Sequence, residues 1–222
     1  DPELSRGLGD VYKRQGQAAG VAAALAIDHD IELADLPVKQ IQDELLKQGC
    51  VLFFYTDLPR DAPAFEAVQK LSLLGAIAND NPDRFRVDGP AASLSDLNKK
   101  AYCFRPNDSV TMGEFARMAV KGLQVPLSIT ASHFRDVPRG HFAFKFIETL
   151  YDYSTQSKAP FFEFELNKNI KIAFAHPNKS VSSKQAIKIL SGLLKRNIQE
   201  IDKTNKALTR GQAAQLIGQF LN

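Results

Sequence analysis

The sequence predicts a mainly α protein, built from tandem two-helix units with small β-hairpin insertions and preceded by two further helices. Two observations carry that expectation. Tyr55-Thr56-Asp57-Leu58-Pro59-Arg60 returns as Phe134-Arg135-Asp136-Val137-Pro138-Arg139, and Pro106-Asn107-Asp108-Ser109-Val110-Thr111 returns as Pro177-Asn178-Lys179-Ser180-Val181-Ser182. Each copy of the first string runs into an apolar stretch at helical spacing, and each copy of the second ends on Thr or Ser, which cap helices by accepting from the first free amides. Leu208-Thr209-Arg210-Gly211-Gln212 restates the end of the second string once more. A lead-in, a helix, a loop, Pro-Asn and a capped second helix, repeated in tandem, suit a surface-binding array rather than a catalytic pocket.

In chain order, residues 1–15 show neither the basic-then-apolar order of a signal peptide nor a helical period. Gly7-Leu8-Gly9-Asp10-Val11-Tyr12-Lys13-Arg14-Gln15 resembles translated adaptor sequence, so 1–15 is expected to be non-native and the natural chain to continue upstream of Gly16. Gly16-Gln17-Ala18-Ala19-Gly20-Val21-Ala22-Ala23-Ala24-Leu25-Ala26-Ile27 is helical in composition with small residues on every face. Gly16 and Gly20 share one face, which a second backbone or a flat ligand can approach closely, and the helix start offers free N–H groups to an anion. A second, amphipathic helix follows, with Val38, Ile41 and Leu45 on its apolar side and Gly49 as its stop.

Residues 16–52 resemble, on that Gly-Gln-Ala-Ala-Gly helix and its amphipathic successor, the C-terminal end of FAD-dependent oxidoreductases of the xanthan-lyase-like family. The resemblance implies that Gly16, Gln17, Ala18, Ala19 and Gly20 face the flavin, and that the rest of the flavin domain lies in cis in a missing N-terminal part. The nucleotide-binding Gly-x-Gly-x-x-Gly turn is absent from the sequence given, so FAD is expected in the full-length parent only and the fragment alone is expected to be inactive.

In the first repeated unit Phe65, Val68, Leu71 and Leu74 define one helix face and Gly75 its end; Phe144, Ile147, Leu150 and Tyr153 match them in the second. Thr111 with Glu114, and Thr209 with Gln212, are capping boxes. Phe115, Met118 and Leu123 correspond to Ala186, Ile189 and Leu194, and to Ala213, Leu216 and Leu221, all as core positions. Arg84–Val87 with Ala101–Phe104, and Phe161–Leu166 with Ile170–Ala175 across Asn167-Lys168-Asn169, alternate as hairpin strands. The units span about 53–125 and 132–195, with a half unit at 205–222 that lacks an Asp-x-Pro lead-in.

This region, 53–222, resembles S-layer homology (SLH) modules, helical repeats that attach exported proteins to cell-wall glycans. The glycan-contacting positions of that family imply Asp57 and Asp136 from the Asp-x-Pro motif, Phe142 where a Trp is usual, and Thr209-Arg210 from a Thr-Arg-Ala-Glu helix start. The carry-over is uneven. Met112 and Ser183 replace the arginine in the other copies, Ala62-Pro63 replaces the aromatic in the first, and the chain has no Trp. Neither Met nor Ser can make an arginine's bidentate fork on a carboxylate, so at most one site of the usual type survives.

At 222 residues, 44% hydrophobic and 24% charged, the composition is that of an ordinary globular chain. The longest apolar run is far shorter than the ~20 residues that span a bilayer, so no transmembrane segment is expected. Net charge is +3, unevenly placed: from Asn167 onward 10 Lys and Arg face 2 acidic residues, a net of +8, against 18 and 23, a net of −5, before it. That basic end suits an anionic partner, or is simply a solvated face. Its aromatics are not interleaved as a stacking platform, so no nucleic acid is expected.

Cys50 and Cys103 are either buried thiols or, in an exported protein, one disulfide. His29, His133, His141 and His176 have no ligand-pair spacing, so no metal is expected. Ser191 lacks a nucleophile elbow, and Glu114, Glu148 and Glu163 are scattered. The functional expectation is the C-terminal part of an exported FAD-dependent oxidoreductase with an SLH-like tail for attachment to anionic cell-envelope polysaccharide. The alternatives are a non-catalytic glycan-binding module and a purely structural appendage.

Overall fold

The computed structural model describes residues 2–77, 103–157, 160–162, 165–167, 172–198 and 206–221, with the backbone alone for 2–12, 165–167 and 172. Among them the chain is mainly helical, with seven α-helices and one two-stranded ladder. Tertiary contacts divide it into Asp1–Leu52 and Phe53–Asn222.

In the first part, α1 spans Pro2–His29, a 3-10 turn Leu33–Asp35 follows, and α2 spans Val38–Lys47. The helix therefore runs unbroken through residues 2–15, where the sequence shows no helical period. Helices are costly to nucleate and cheap to extend, so the alanine-rich stretch from Ala18 to Ala26 can propagate backward through indifferent sequence, and proline is tolerated in the first turn. Val21, Ala22 and Ala26 are buried, as are Leu36, Leu45 and Leu46, and α1 packs on α2. The apolar stripe of α2 is shifted from expectation: Val38 is 65% exposed and Leu46 takes a buried place beside Leu45. Gly49, at φ +76, ends α2 as expected, and the Cys50 amide donates to the Leu45 carbonyl at 2.9 Å.

The second part begins with α3, Phe65–Leu73, and α4, Met112–Gly122. Then come α5, Phe144–Thr155; the strands β1, Glu165–Asn167, and β2, Ile172–Phe174; α6, Ser183–Leu194; and α7, Arg210–Gly218. Val68 and Leu71 on α3, and Ile147 and Leu150 on α5, are fully buried. Ala64 and Ala143 precede these helices with nearly the same backbone angles, φ/ψ of −87/−4 and −88/−5.

The helices α4, α6 and α7 start alike. Thr111, Ser182 and Thr209 are extended N-caps, with ψ of 161, 159 and 162. Each closes a reciprocal capping box, with Glu114, Gln185 and Gln212 in turn. The residues before the caps bond one another in a closed circuit: the Val110 amide donates to Leu208 (2.9 Å), that of Leu208 to Val181 (2.8 Å), and that of Val181 to Val110 (3.0 Å). A second circuit lies beside it, from Met112 to Lys179 (2.9 Å), Ser183 to Lys206 (3.1 Å) and Arg210 to Asp108 (2.8 Å). The first free amide of each helix, at Met112, Ser183 and Arg210, is thus satisfied by a neighbouring segment, and the Val110, Val181 and Leu208 side chains are buried.

Helix α5 packs on α4, and α3 on α7. Both contacts need glycine: a Cβ at Gly113 would stand 2.9 Å from the Ala143 Cβ, and one at Gly218 would stand 2.6 Å from the Ala67 Cβ. The ladder pairs Glu165 with Phe174 and Asn167 with Ile172, antiparallel. It is shorter than the expected strand from Phe161, because Phe161 and Phe162 are buried against helices instead; the Phe162 amide donates to Ser154 Oγ at 3.0 Å, and a Cβ at Gly192 would collide with the Phe161 ring. Strand expectations at Arg84–Val87, most of Ala101–Phe104, and the turn at Lys168-Asn169 lie outside the described residues. Among the described residues, no helix is long and apolar enough to cross a membrane.

Candidate functional site

The two Asp-x-Pro carboxylates make the same clamp. Asp57 accepts from the Phe104 amide (2.7 Å) and the Arg105 amide (2.6 Å), and Asp136 from the Ala175 amide (3.0 Å) and the His176 amide (2.7 Å). The clamped Arg105 and His176 are both left-handed, at φ 58 and 51. A left-handed non-glycine residue is costly and persists only where its surroundings hold it, which these carboxylate bonds do. The next residues, Pro106 and Pro177, turn their carbonyls to the Gly211 and Gly113 amides, both at 2.9 Å. One aspartate therefore connects each lead-in to the start of a helix in the ring.

The polar residues behind the lead-ins are used similarly. Gln69 and Glu148, both fully buried, hold preceding backbone: Gln69 bonds the Phe53 amide and carbonyl at 2.7 Å each. Glu148 accepts from the His133 amide at 2.9 Å and pairs with His133 Nδ1 at 2.6 Å. The His141 ring accepts from the Ala143 amide at 3.2 Å, in the turn that leads into α5. Glu163 lies outside the described residues. Among those described, no group of three or more His, Cys, Asp or Glu is placed to hold a metal, and Cys103 Sγ lies 3.3 Å from Thr56 Oγ1.

Of the residues taken from the SLH resemblance, Asp57 and Arg210 meet on Phe104. Arg210 Nε donates to the Phe104 carbonyl at 2.8 Å, its guanidinium lies 5.2 Å from that ring centroid, and its Nη1 pairs with Glu114. Arg210 is 2% exposed, so in this structure it joins α7 to α4 and does not face solvent. Thr209 acts as the cap of α7. Asp136 belongs to the other clamp; Phe142 is 44% exposed, its ring tilted against His141 at 4.8 Å and close over Gly113, whose amide bonds the Pro177 carbonyl next to that clamp. The five residues therefore fall into two groups, one around Phe104 and one around Phe142.

Sequence reasoning missed Arg105, the solvent-facing cation of the first group, which reaches Asp108 (3.6 Å) and Glu114 (3.7 Å). A signal was available, since a basic residue precedes Pro-Asn in both copies, Arg105 in one and His176 in the other. In the first part of the chain Gly16, Gln17, Ala19 and Gly20 are exposed and Ala18 half-buried; among the described residues no side chain lies within 4 Å of a Cβ at Gly16 or Gly20. That face is open enough for close approach by a flat group. No protein-family model matches the chain, and no curated protein matches it.

Proposed function

We propose that residues 53–222 are a non-catalytic attachment module of SLH type that holds acidic cell-envelope glycan, and that residues 16–52 are the closing helices of an exported FAD-dependent oxidoreductase domain. The observation that carries the module is the double circuit of hydrogen bonds joining three like-capped helix starts. Units that cannot bury their own faces stack on one another, and a ring of three such starts is the expected product of a tandem unit whose third copy kept only its second half. The buried carboxylates favour binding over catalysis: Glu114 and Glu148 are engaged in holding the fold rather than aimed into a common cleft. For residues 16–52 the support is the open small-residue face at Gly16 and Gly20, which would meet the flavin of the parent enzyme.

The test is retention of the full chain on purified bacterial cell-wall sacculi, with the acidic secondary polymer present or chemically stripped. Retention that disappears on stripping is expected. Equal retention on stripped sacculi, or none on either, would contradict attachment and leave a structural appendage.

A further inference from the structure

The junctions of the ring can be compared position by position. Where α7 meets α4, the first residue of one helix, Arg210, pairs with the third residue of the other, Glu114. The matching residues where α4 meets α6 are Met112 and Gln185, and there they line a cleft of about 380 Å³. The third residue is Gln185 on α6 and Gln212 on α7, and both close the capping box as Glu114 does on α4. A neutral amide is therefore enough for the cap, and the charge on Glu114 answers to something else. It answers to arginine: of the first residues Met112, Ser183 and Arg210, the arginine is the one that meets the glutamate.

Two guanidiniums and a helix cap converge on this carboxylate. Its Oε1 pairs with Arg210 Nη1 and has Arg105 Nη2 at 3.7 Å, and its Oε2 accepts from the Thr111 amide at 2.9 Å and hydroxyl at 3.1 Å. Arg210 forms the buried floor, and the Arg105 side chain, 46% exposed, forms the solvent side, flanked by Asp108 at 3.6 Å. We propose that Glu114 fills a carboxylate-binding site from within, an autoinhibitory contact, and that the carboxylate of an acidic sugar competes with it for the same donors. A site that already holds one carboxylate has the geometry to hold another, because guanidinium and amide donors recognise the group and not the chain that carries it. The carboxylate chemistry rests on these donors alone; that the carrier is a sugar rests on the attachment reading.

The experiment removes the internal group and supplies its fragment. Glu114→Ala deletes a methylene and a carboxylate, which acetate replaces; Glu114→Gln keeps the size and the cap and drops the charge. Thermal unfolding of the full chain is followed in sodium acetate and in sodium chloride of equal ionic strength, for the natural sequence, both variants and Glu114→Ala/Arg105→Ala. Acetate is expected to raise the Tm of Glu114→Ala above its value in chloride and to do so less in the double variant. The natural sequence and Glu114→Gln are expected to have the same Tm in both salts, because a ligand stabilises only a folded state with room for it. In calorimetric titration glucuronate is expected to bind Glu114→Ala at least about tenfold more tightly than the natural sequence, with glucose binding neither. The proposal is overturned by a Glu114→Ala that melts alike in both salts or folds in neither, by a Glu114→Gln that responds to acetate equally, or by glucuronate that binds Glu114→Ala no better than the natural sequence. Acetate rescue without sacculus retention keeps the site and removes attachment; retention without rescue does the reverse.

Discussion

Glu114 and Arg210 come together from 96 residues apart, and both are buried. Taking two charges out of water is costly, and the pair is tolerable because each partner does a second job. Glu114 closes the α4 cap by accepting from the Thr111 amide at 2.9 Å, and Arg210 binds the Phe104 carbonyl and ring. Arg210→Ala strands the buried Glu114 carboxylate and is expected to cost about 3 kcal/mol or more in urea unfolding. Arg105→Ala, which removes an exposed neighbour of the same carboxylate, is expected to cost under about 1 kcal/mol. Equal and small losses in the two variants would show that the buried pair does not hold α7 to α4.

At the scale of the element, the helix ends follow local chemistry closely. Lys195 ends α6 in the left-handed region at φ 51, and the Arg196 amide reaches back to the Ser191 carbonyl at 3.2 Å. Gly75 does the same after α3 at φ 63 without a Cβ to oppose it. Lys195→Gly is therefore expected to stabilise the protein by up to about 1 kcal/mol, read as a rise in Tm; a fall would mean that the lysine stem contributes packing that outweighs its backbone strain. Such local features were legible beforehand: the capping boxes at Thr111 and Thr209, the glycine stops at Gly49 and Gly75, and the matched faces of Val68 and Leu71 with Ile147 and Leu150. Ser182 with Gln185 carries the same signal as the other two boxes. Tertiary choices were not legible. Whether Val38 or Leu46 faces inward on α2, and that Phe161 would leave its strand pattern to lie against Gly192, depend on neighbours remote in sequence. The role of Arg210 was hidden for the same reason, since nothing near it in sequence announces Glu114.

For residues 53–222 as a whole, the defining feature is closure. Helix α7 near the C-terminus packs on α3, and the circuit through Val110, Val181 and Leu208 has no free end. Closing so long a loop adds little entropy beyond that of a shorter one, whereas opening any one link leaves buried backbone groups unpaired on both of its neighbours. The three segments should therefore open together and not one by one. Native-state hydrogen exchange at the Val110, Val181 and Leu208 amides tests this most directly. The account expects all three to exchange only through global opening, with protection free energies equal to one another and to that from urea unfolding. A Leu208 amide that exchanges orders of magnitude faster than Val110 would instead make residues 206–221 a loosely held tail, and the closed ring would be contradicted.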